Sequence, residues 1–363
     1  ISGGGTGGHV FPAIAIADAI RAEVPQADIL FVGANGKMEM ERVPKAGYRI
    51  EGLDISGFQR KLSLKNLAFP FKLAGSMVKA TWIVKKFRPE VAVGVGGYAS
   101  GPVLRIAGWL GIPTVLQEQN SYAGVTNRIL AARASLVCVA YDGMERFFPK
   151  NKLMFTGNPV RKDILNNRID KKDALRMLGL DQNKKTVLIF GGSLGAGTIN
   201  AAVRKNADFL MSQKDINLIW QVGKTYYDEY KTCSLAGQPD VQILPFIENM
   251  DVAYSAADVV VCRAGALTIS ELSVLGKAAI LIPSPNVAED HQTANAMSLV
   301  DRHAALMIKD AEAADKLATM VRWLLDNPGR ISELEQNIGY FSRPDAAKKI
   351  AAEILKLCKQ EQK

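Results

Sequence analysis

KKTVLIFGGSLGAGTIN, residues 184–200, decides the fold class. Its first half ends in the unbroken apolar run VLIF (187–190), the pattern of a strand covered on both faces. Gly191, Gly192 and Gly195 then break the run, and a helical segment follows. The unit is strand, glycine turn, helix. GGGTGGH (3–9) leads into HVFPAIAIADAI in the same way, and VGVGGYASGP (93–102) repeats the design.

Further apolar runs of strand length stand at 27–33, 90–97, 113–119, 135–140, 216–223, 240–247, 257–265 and 278–285. Helical segments at 12–24, 101–110, 122–133, 198–213, 267–275 and 290–302 alternate with them. Continuous alternation predicts an α/β protein with two doubly wound domains. A length of 363 residues suits two domains better than one. TGNPVRKDI (156–164) marks the boundary, because Asn158-Pro159 breaks regular structure and the polar stretch NNRIDKKD follows. The expected domains are 1–160 and 161–342, with a last helix in 343–363 packing back on the first. The start at Ile1 reads as a first strand without its leading residues, and no secretory signal is expected.

Apolar residues make up 48% and charged residues 22%, which excludes a disordered or fibrous chain. No run approaches the roughly 18 apolar residues of a spanning helix. Cys138, Cys233, Cys262 and Cys358 form no CxxC pair and lie at no metal-ligand spacing from histidine. They suit a reducing cytoplasm, with Cys138 and Cys262 as buried thiols.

The formal charge of +9 is unevenly placed. Residues 1–162 carry 21 basic against 11 acidic residues, and the remainder 24 against 25. Residues 59–88 hold eight basic residues and no acidic one. Within them Lys65, Lys72, Lys79 and Lys86 recur every seven residues. Pro70 suits a helix start, so 71–87 is expected as a helix with Lys72, Lys79 and Lys86 in one stripe. Leu73, Met77 and Val84 fall on its core face; Phe71, Trp82 and Ile83 flank the lysines. Large apolar groups among lysines suggest docking on an anionic bilayer surface. The plainer alternative is a solvated face with Trp82 covered by a loop. No nucleic-acid module accompanies the charge, so nucleic acid is not an expected partner.

Three glycine turns at strand ends favour a phosphate-bearing ligand, since glycine admits close backbone approach and the helix start offers N–H groups. Gly3, Gly5 and Gly8 satisfy GxGxxG, but no acidic residue ends the next strand near residue 34, which disfavours a dehydrogenase. His9 directly follows the first turn, where the helix dipole disfavours imidazolium, so a neutral ring could accept a proton or hydrogen-bond a ligand; the plainer alternative is a helix-capping or packed histidine. Glu271, in CRAGALTISEL (262–272), either complements the helix dipole or accepts hydrogen bonds from a ribose diol.

GGTGGHVFPAIAIA (4–17), GVGGYASGP (94–102), LQEQNSYAGVTNR (116–128), GNPVR (157–161), GGSLGA (191–196), PFIENM (245–250), VVCRAGALTISEL (260–272) and DHQTANA (290–296) together resemble the MurG family. These are the peptidoglycan N-acetylglucosaminyltransferases that act on lipid I. The motifs keep the family's order across roughly residues 1–300. The resemblance implies the GT-B fold, two Rossmann-like domains with a cleft between them. It implies inverting transfer of GlcNAc from UDP-GlcNAc to the 4-hydroxyl of MurNAc in undecaprenyl-diphospho-MurNAc-pentapeptide, giving lipid II and UDP. No cofactor or bound metal is implied, the diphosphate being met by helix starts and backbone N–H groups.

Residue roles follow from the same resemblance. His9 is the first candidate base and Glu118 the second. Thr6, Gly7, Gly8 and Asn120 face the sugar. Arg161 and Ser193 lie near the donor diphosphate. Phe246 caps the uracil and Ile247 reads its edge through the backbone. Ala266, Leu267 and Thr268, with Ile269 and Ser270 in the same run, flank the diphosphate and sugar. Glu271 holds the ribose and Gln292 the GlcNAc hydroxyls. Gly5, Gly96, Gly97 and Tyr98 form the acceptor diphosphate site. Lys72, Lys79, Trp82, Ile83 and Lys86 meet the membrane. Some relatives have His where Gln117 stands, and others a Gln pair where this chain has His291-Gln292. The implied place is the cytoplasmic face of the bacterial inner membrane, in cell-wall biogenesis and division, with cell-wall synthesis proteins as further partners. The competing readings are a UDP-GlcNAc 2-epimerase, which would leave the basic stripe and the VGVGGYASGP turn unused, and a non-catalytic nucleotide-sugar scaffold.

Overall fold

The computed structural model describes residues 1–55, 69–287 and 290–360. Lys65 of the basic stripe lies outside them. The chain forms two compact units, one of Ile1–Arg161 with Arg343–Lys363 and one of Lys162–Ser342. Arg161 thus closes the first unit instead of opening the second, and the segment after Ser342 belongs to the first.

In the first unit β1 (Leu30–Ala34) pairs with β2 (Arg49–Leu53), and β3 (Ala92–Gly94), β4 (Thr114–Glu118), β5 (Leu136–Val139) and β6 (Leu153–Phe155) follow in order, all parallel. Ser2 bridges Val32 on one side and Gly94 on the other. Ser2 therefore lies between β1 and β3, where the winding reverses. In open α/β sheets ligands collect outside the strand ends at such a point. The turns after Ser2 and after β3 both leave from it.

The second unit is a parallel sheet in the order β12 (Leu306–Met307), β11 (Ala279–Leu281), β10 (Val259–Cys262), β7 (Lys185–Phe190), β8 (Ile216–Gln221), β9 (Val241–Leu244). Its reversal falls between β7 and β10. The turns Gly191–Ala196 and Arg263–Gly265 leave the carboxyl ends of these two strands. Val187–Phe190 and Val259–Cys262 are buried throughout, as both-face coverage requires.

Three strands read poorly from sequence. β2, β6 and β12 are short or mixed in burial, so no apolar run announces them. The first helix, Gly7–Glu23, begins five residues before the expected segment, because Thr6 O already accepts from His9 N and Val10 N. The final helix, Ala346–Gln360, packs along Gly7–Glu23; Ile350, Ala351 and Ile354 join Ile16 and Ile20 in one core.

The basic helix runs Phe69–Phe87. Its buried stripe is Ser76, Ala80, Ile83 and Val84, at helical spacings of three and four. Ile83 is 3% exposed and packs in the first unit's core, so its expected membrane role is corrected. Burying that side chain is worth roughly 2 kcal/mol, which fixes the helix's rotation. The outward apolar line is instead Phe71, Val78 and Trp82, exposed by 81%, 73% and 54%. Lys86 Nζ lies 4.5 Å from the Trp82 ring centroid.

Candidate active site

At the first unit's reversal point two glycine turns touch backbone to backbone. Gly97 has φ +83°, and a Cβ there would collide with Gly4 O, so only glycine lets the turns meet. Gly96 has φ +87°, and a Cβ on it would stand 3.0 Å from His9 Cδ2 and Nε2. The His9 ring thus lies edge-on over the second turn. On its other side Thr6 Oγ1 is 3.3 Å from Nδ1. A proton on Nδ1 directed at Thr6 would leave Nε2 as the basic nitrogen. The Arg161 guanidinium stacks over Phe11 at 4.8 Å, two residues beyond His9 in the same helix. Tyr98 stands half exposed beside Gly97.

Glu39 was invisible to sequence reasoning, being one of two acids in MEMERVPK. It is buried, its Oε2 accepts Gly5 N–H at 2.8 Å, and its Oε1 accepts Ala34 N–H at 3.0 Å. The Gly5 N–H thus already has an internal carboxylate as its acceptor.

At the end of β4 Glu118 is buried, and its carboxylate takes N–H groups from every side. Oε1 accepts from Asn120 N at 3.1 Å and Asn120 Nδ2 at 3.4 Å; Oε2 accepts from Gly124 N at 3.0 Å and Asn127 Nδ2 at 2.9 Å. Burial pushes this carboxyl above the usual range while the hydrogen bonds pull it down. These hydrogen bonds hold the loop from Asn120 to Asn127 in shape. Asn120 is placed by it. Gln117, fully buried, donates to Asn158 Oδ1 at 2.9 Å, and Asn158 Nδ2 donates to Gln119 O at 3.0 Å. LQEQN and GNPVR are thus tied by amides.

In the second unit Gln221 Nε2 donates to Gly192 O at 2.7 Å and fixes the turn that carries Ser193. Leu194 at its tip is exposed. Ala266, Leu267 and Thr268 open the helix Ala266–Leu275, so their N–H groups have no partner four residues back within it. Ile269 N already bonds Gly265 O, and Ser270 Oγ donates back to Ala266 O at 2.9 Å. In this structure these two groups bond within the helix start. Gln292 Oε1 accepts from Ser284 N at 2.8 Å, which directs its amide nitrogen away from that loop. Phe246 is half-buried and Ile247 buried after β9. Arg263, missed by sequence reasoning although it ends an apolar run, donates to Ile282 O at 3.0 Å and pairs with Asp310. Thr198 Oγ1 reaches the same carboxylate at 3.1 Å, joining the three loops at the strand ends.

Residues 1–139 match the glycosyltransferase family 28 N-terminal domain, and residues 186–350 the C-terminal domain. A Bacteroides fragilis protein, UDP-N-acetylglucosamine–N-acetylmuramyl-(pentapeptide) pyrophosphoryl-undecaprenol N-acetylglucosamine transferase, is 53% identical over 99% of this chain and 95% of its own. The chain belongs to the MurG family of glycosyltransferase family 28. The crystal structure of Acinetobacter baumannii MurG superposes with a TM-score of 0.75 at 30% identity, covering 98% of both chains. The family's two-Rossmann GT-B fold is the one found here. A Neisseria meningitidis UDP-GlcNAc 2-epimerase bound to UDP-GlcNAc has a TM-score of 0.69 at 14% identity, covering 97% of this chain and 98% of its own. That likeness is of fold alone.

Proposed function

We infer that this chain transfers N-acetylglucosamine from UDP-N-acetylglucosamine to N-acetylmuramyl-(pentapeptide) pyrophosphoryl-undecaprenol, releasing UDP. The observation that carries this is the 53% identity to the transferase over nearly the whole chain. The site supports it: both units place glycine turns at their reversal points, one with a candidate base and one with a carboxylate and an amide.

The donor is an α-glycoside and the product is β-linked, so one displacement inverts the anomeric carbon. His9 Nε2 takes the proton of the attacking hydroxyl, and Thr6 orients the ring through Nδ1. The N–H groups of Ala266–Thr268 and the Ser193 turn meet the diphosphate charge as UDP leaves, without a bound metal. Glu271 takes the ribose hydroxyls and Gln292 Nε2 a sugar hydroxyl. Gly96, Gly97 and Tyr98 face the acceptor diphosphate. Glu118 keeps Asn120 in place for the sugar.

The acceptor is lipid-linked, so the enzyme works at a membrane surface, the cytoplasmic face of the bacterial inner membrane. Among the described residues no helix is long and apolar enough to cross a membrane. Phe71, Val78 and Trp82, lined by Lys72, Lys79 and Lys86, suit contact with an anionic leaflet. UDP release with and without a lipid I analogue tests the reading. Acceptor-dependent release with a β-1,4 disaccharide is expected. Conversion of donor to UDP-ManNAc without acceptor would overturn it in favour of the epimerase.

A further inference from the structure

We propose that Tyr254 is a positioning residue for the donor's ribose, acting through Glu271. Tyr254 lies on the helix Met250–Ala256, and Glu271 on Ala266–Leu275. Tyr254 is completely buried and Glu271 is 5% exposed. Tyr254 Oη donates to Glu271 Oε2 at 3.0 Å in that dry environment.

A buried phenol hydroxyl costs free energy unless it is hydrogen-bonded, so phenylalanine would fill the same space more simply. What the hydroxyl adds at this contact is a hydrogen bond that orients the carboxylate. A glutamate side chain turns about three torsions, and a ribose diol is held only when both carboxylate oxygens face it correctly. A donor fixed on the protein side sets that orientation before the ligand arrives and removes an ordering cost from binding.

Tyr254 is itself anchored where the ligand's other end is expected. Its ring meets Phe190 edge-on, with centroids 6.1 Å apart at 73°. Phe190 ends β7 and is followed at once by the Gly191–Ala196 turn that carries Ser193. Phe190 is in register with Cys262, the last residue of β10. One phenol therefore joins the strand end that launches the phosphate turn to the carboxylate that meets the sugar diol. The ribose and diphosphate subsites share one rigid reference.

This rests on Glu271 as the ribose-holding group. Tyr254→Phe keeps the ring and removes only the hydroxyl. Calorimetric binding of UDP, 2′-deoxy-UDP and 3′-deoxy-UDP, which needs no acceptor, is measured for the wild type, Tyr254→Phe, Glu271→Gln and the double variant. Tyr254→Phe should weaken UDP about tenfold and the deoxy analogues less, shrinking the preference for an intact ribose. In turnover the donor KM should rise while kcat stays within about twofold. Adding Tyr254→Phe to Glu271→Gln should cost little more. Should Tyr254→Phe keep the wild-type ribose preference while Glu271→Gln loses it, Tyr254 is only packing and the proposal fails. Should Glu271→Gln also keep that preference, the ribose reading of Glu271 fails and takes this proposal with it.

Discussion

Glu39 Oε2 accepts the Gly5 N–H at 2.8 Å, inside the turn that precedes His9. The same carboxylate receives Ala34 N–H through Oε1, so one buried acid ties the first glycine turn to the end of β1. Glu39→Ala leaves both N–H groups without their acceptor and should cost about 3 kcal/mol in denaturant unfolding. Glu39→Gln keeps one acceptor oxygen and should lose about half of that. Equal stability of both variants and the wild type would show that the turn holds itself.

His9 and Glu118 should separate cleanly in mutants. His9→Ala should lower kcat by about two to four orders of magnitude with little change in donor KM. Glu118→Ala deprives four N–H contacts of their acceptor, so its first effect should be lower thermal stability. A Glu118→Ala enzyme with wild-type stability and no turnover would return the base role to Glu118.

Gly96→Ala tests the geometry of the His9 ring. The added methyl would sit 3.0 Å from the ring's Nε2 edge on backbone at φ +87°, so the ring or the turn must shift. Displacement of that size should cost about a hundredfold in kcat. UDP binding, proposed to rest on Ser193, Ala266–Thr268, Glu271 and Arg161, should be little changed; a variant with normal turnover would remove His9 Nε2 from the reaction.

Membrane contact predicts that charge reversal at Lys72, Lys79 and Lys86 weakens binding to anionic vesicles by at least ~3 kcal/mol, at roughly 1 per lysine. Trp82→Ala should lower binding to neutral vesicles as well. Ile83→Ala should instead reduce stability, because its side chain lies in the core. Unchanged vesicle sedimentation of the triple variant would overturn this surface assignment.

Metal-free chemistry predicts that exhaustive EDTA treatment leaves acceptor-dependent UDP release at its starting rate. A loss restored by added magnesium would mean that a cation, and not only the N–H groups of Ala266–Thr268, meets the diphosphate.

Much of this molecule is legible along the chain. The apolar run before Gly191 and its repeats announced parallel strands, because coverage on both faces suppresses polar alternation. Glycine turns at strand ends pointed to the two reversal points, and His9, Ser193 and Glu271 stand in turns at those points or in the helices directly after them. What the chain could not show are interactions set by closeness across it. Ile83 reads as one apolar residue among lysines until the helix's rotation is fixed by packing at Ala80 and Val84. Gly5 reads as an open phosphate turn until folding brings Glu39 from 34 residues away. Glu118 reads as an acid available for proton transfer until Asn120, Gly124 and Asn127 close over it. Local pattern determines which residues form strands, turns and helix starts, because it acts through backbone preference and periodicity. Which carboxylates remain available for chemistry is decided by tertiary structure, since that depends on which donors the fold delivers to them.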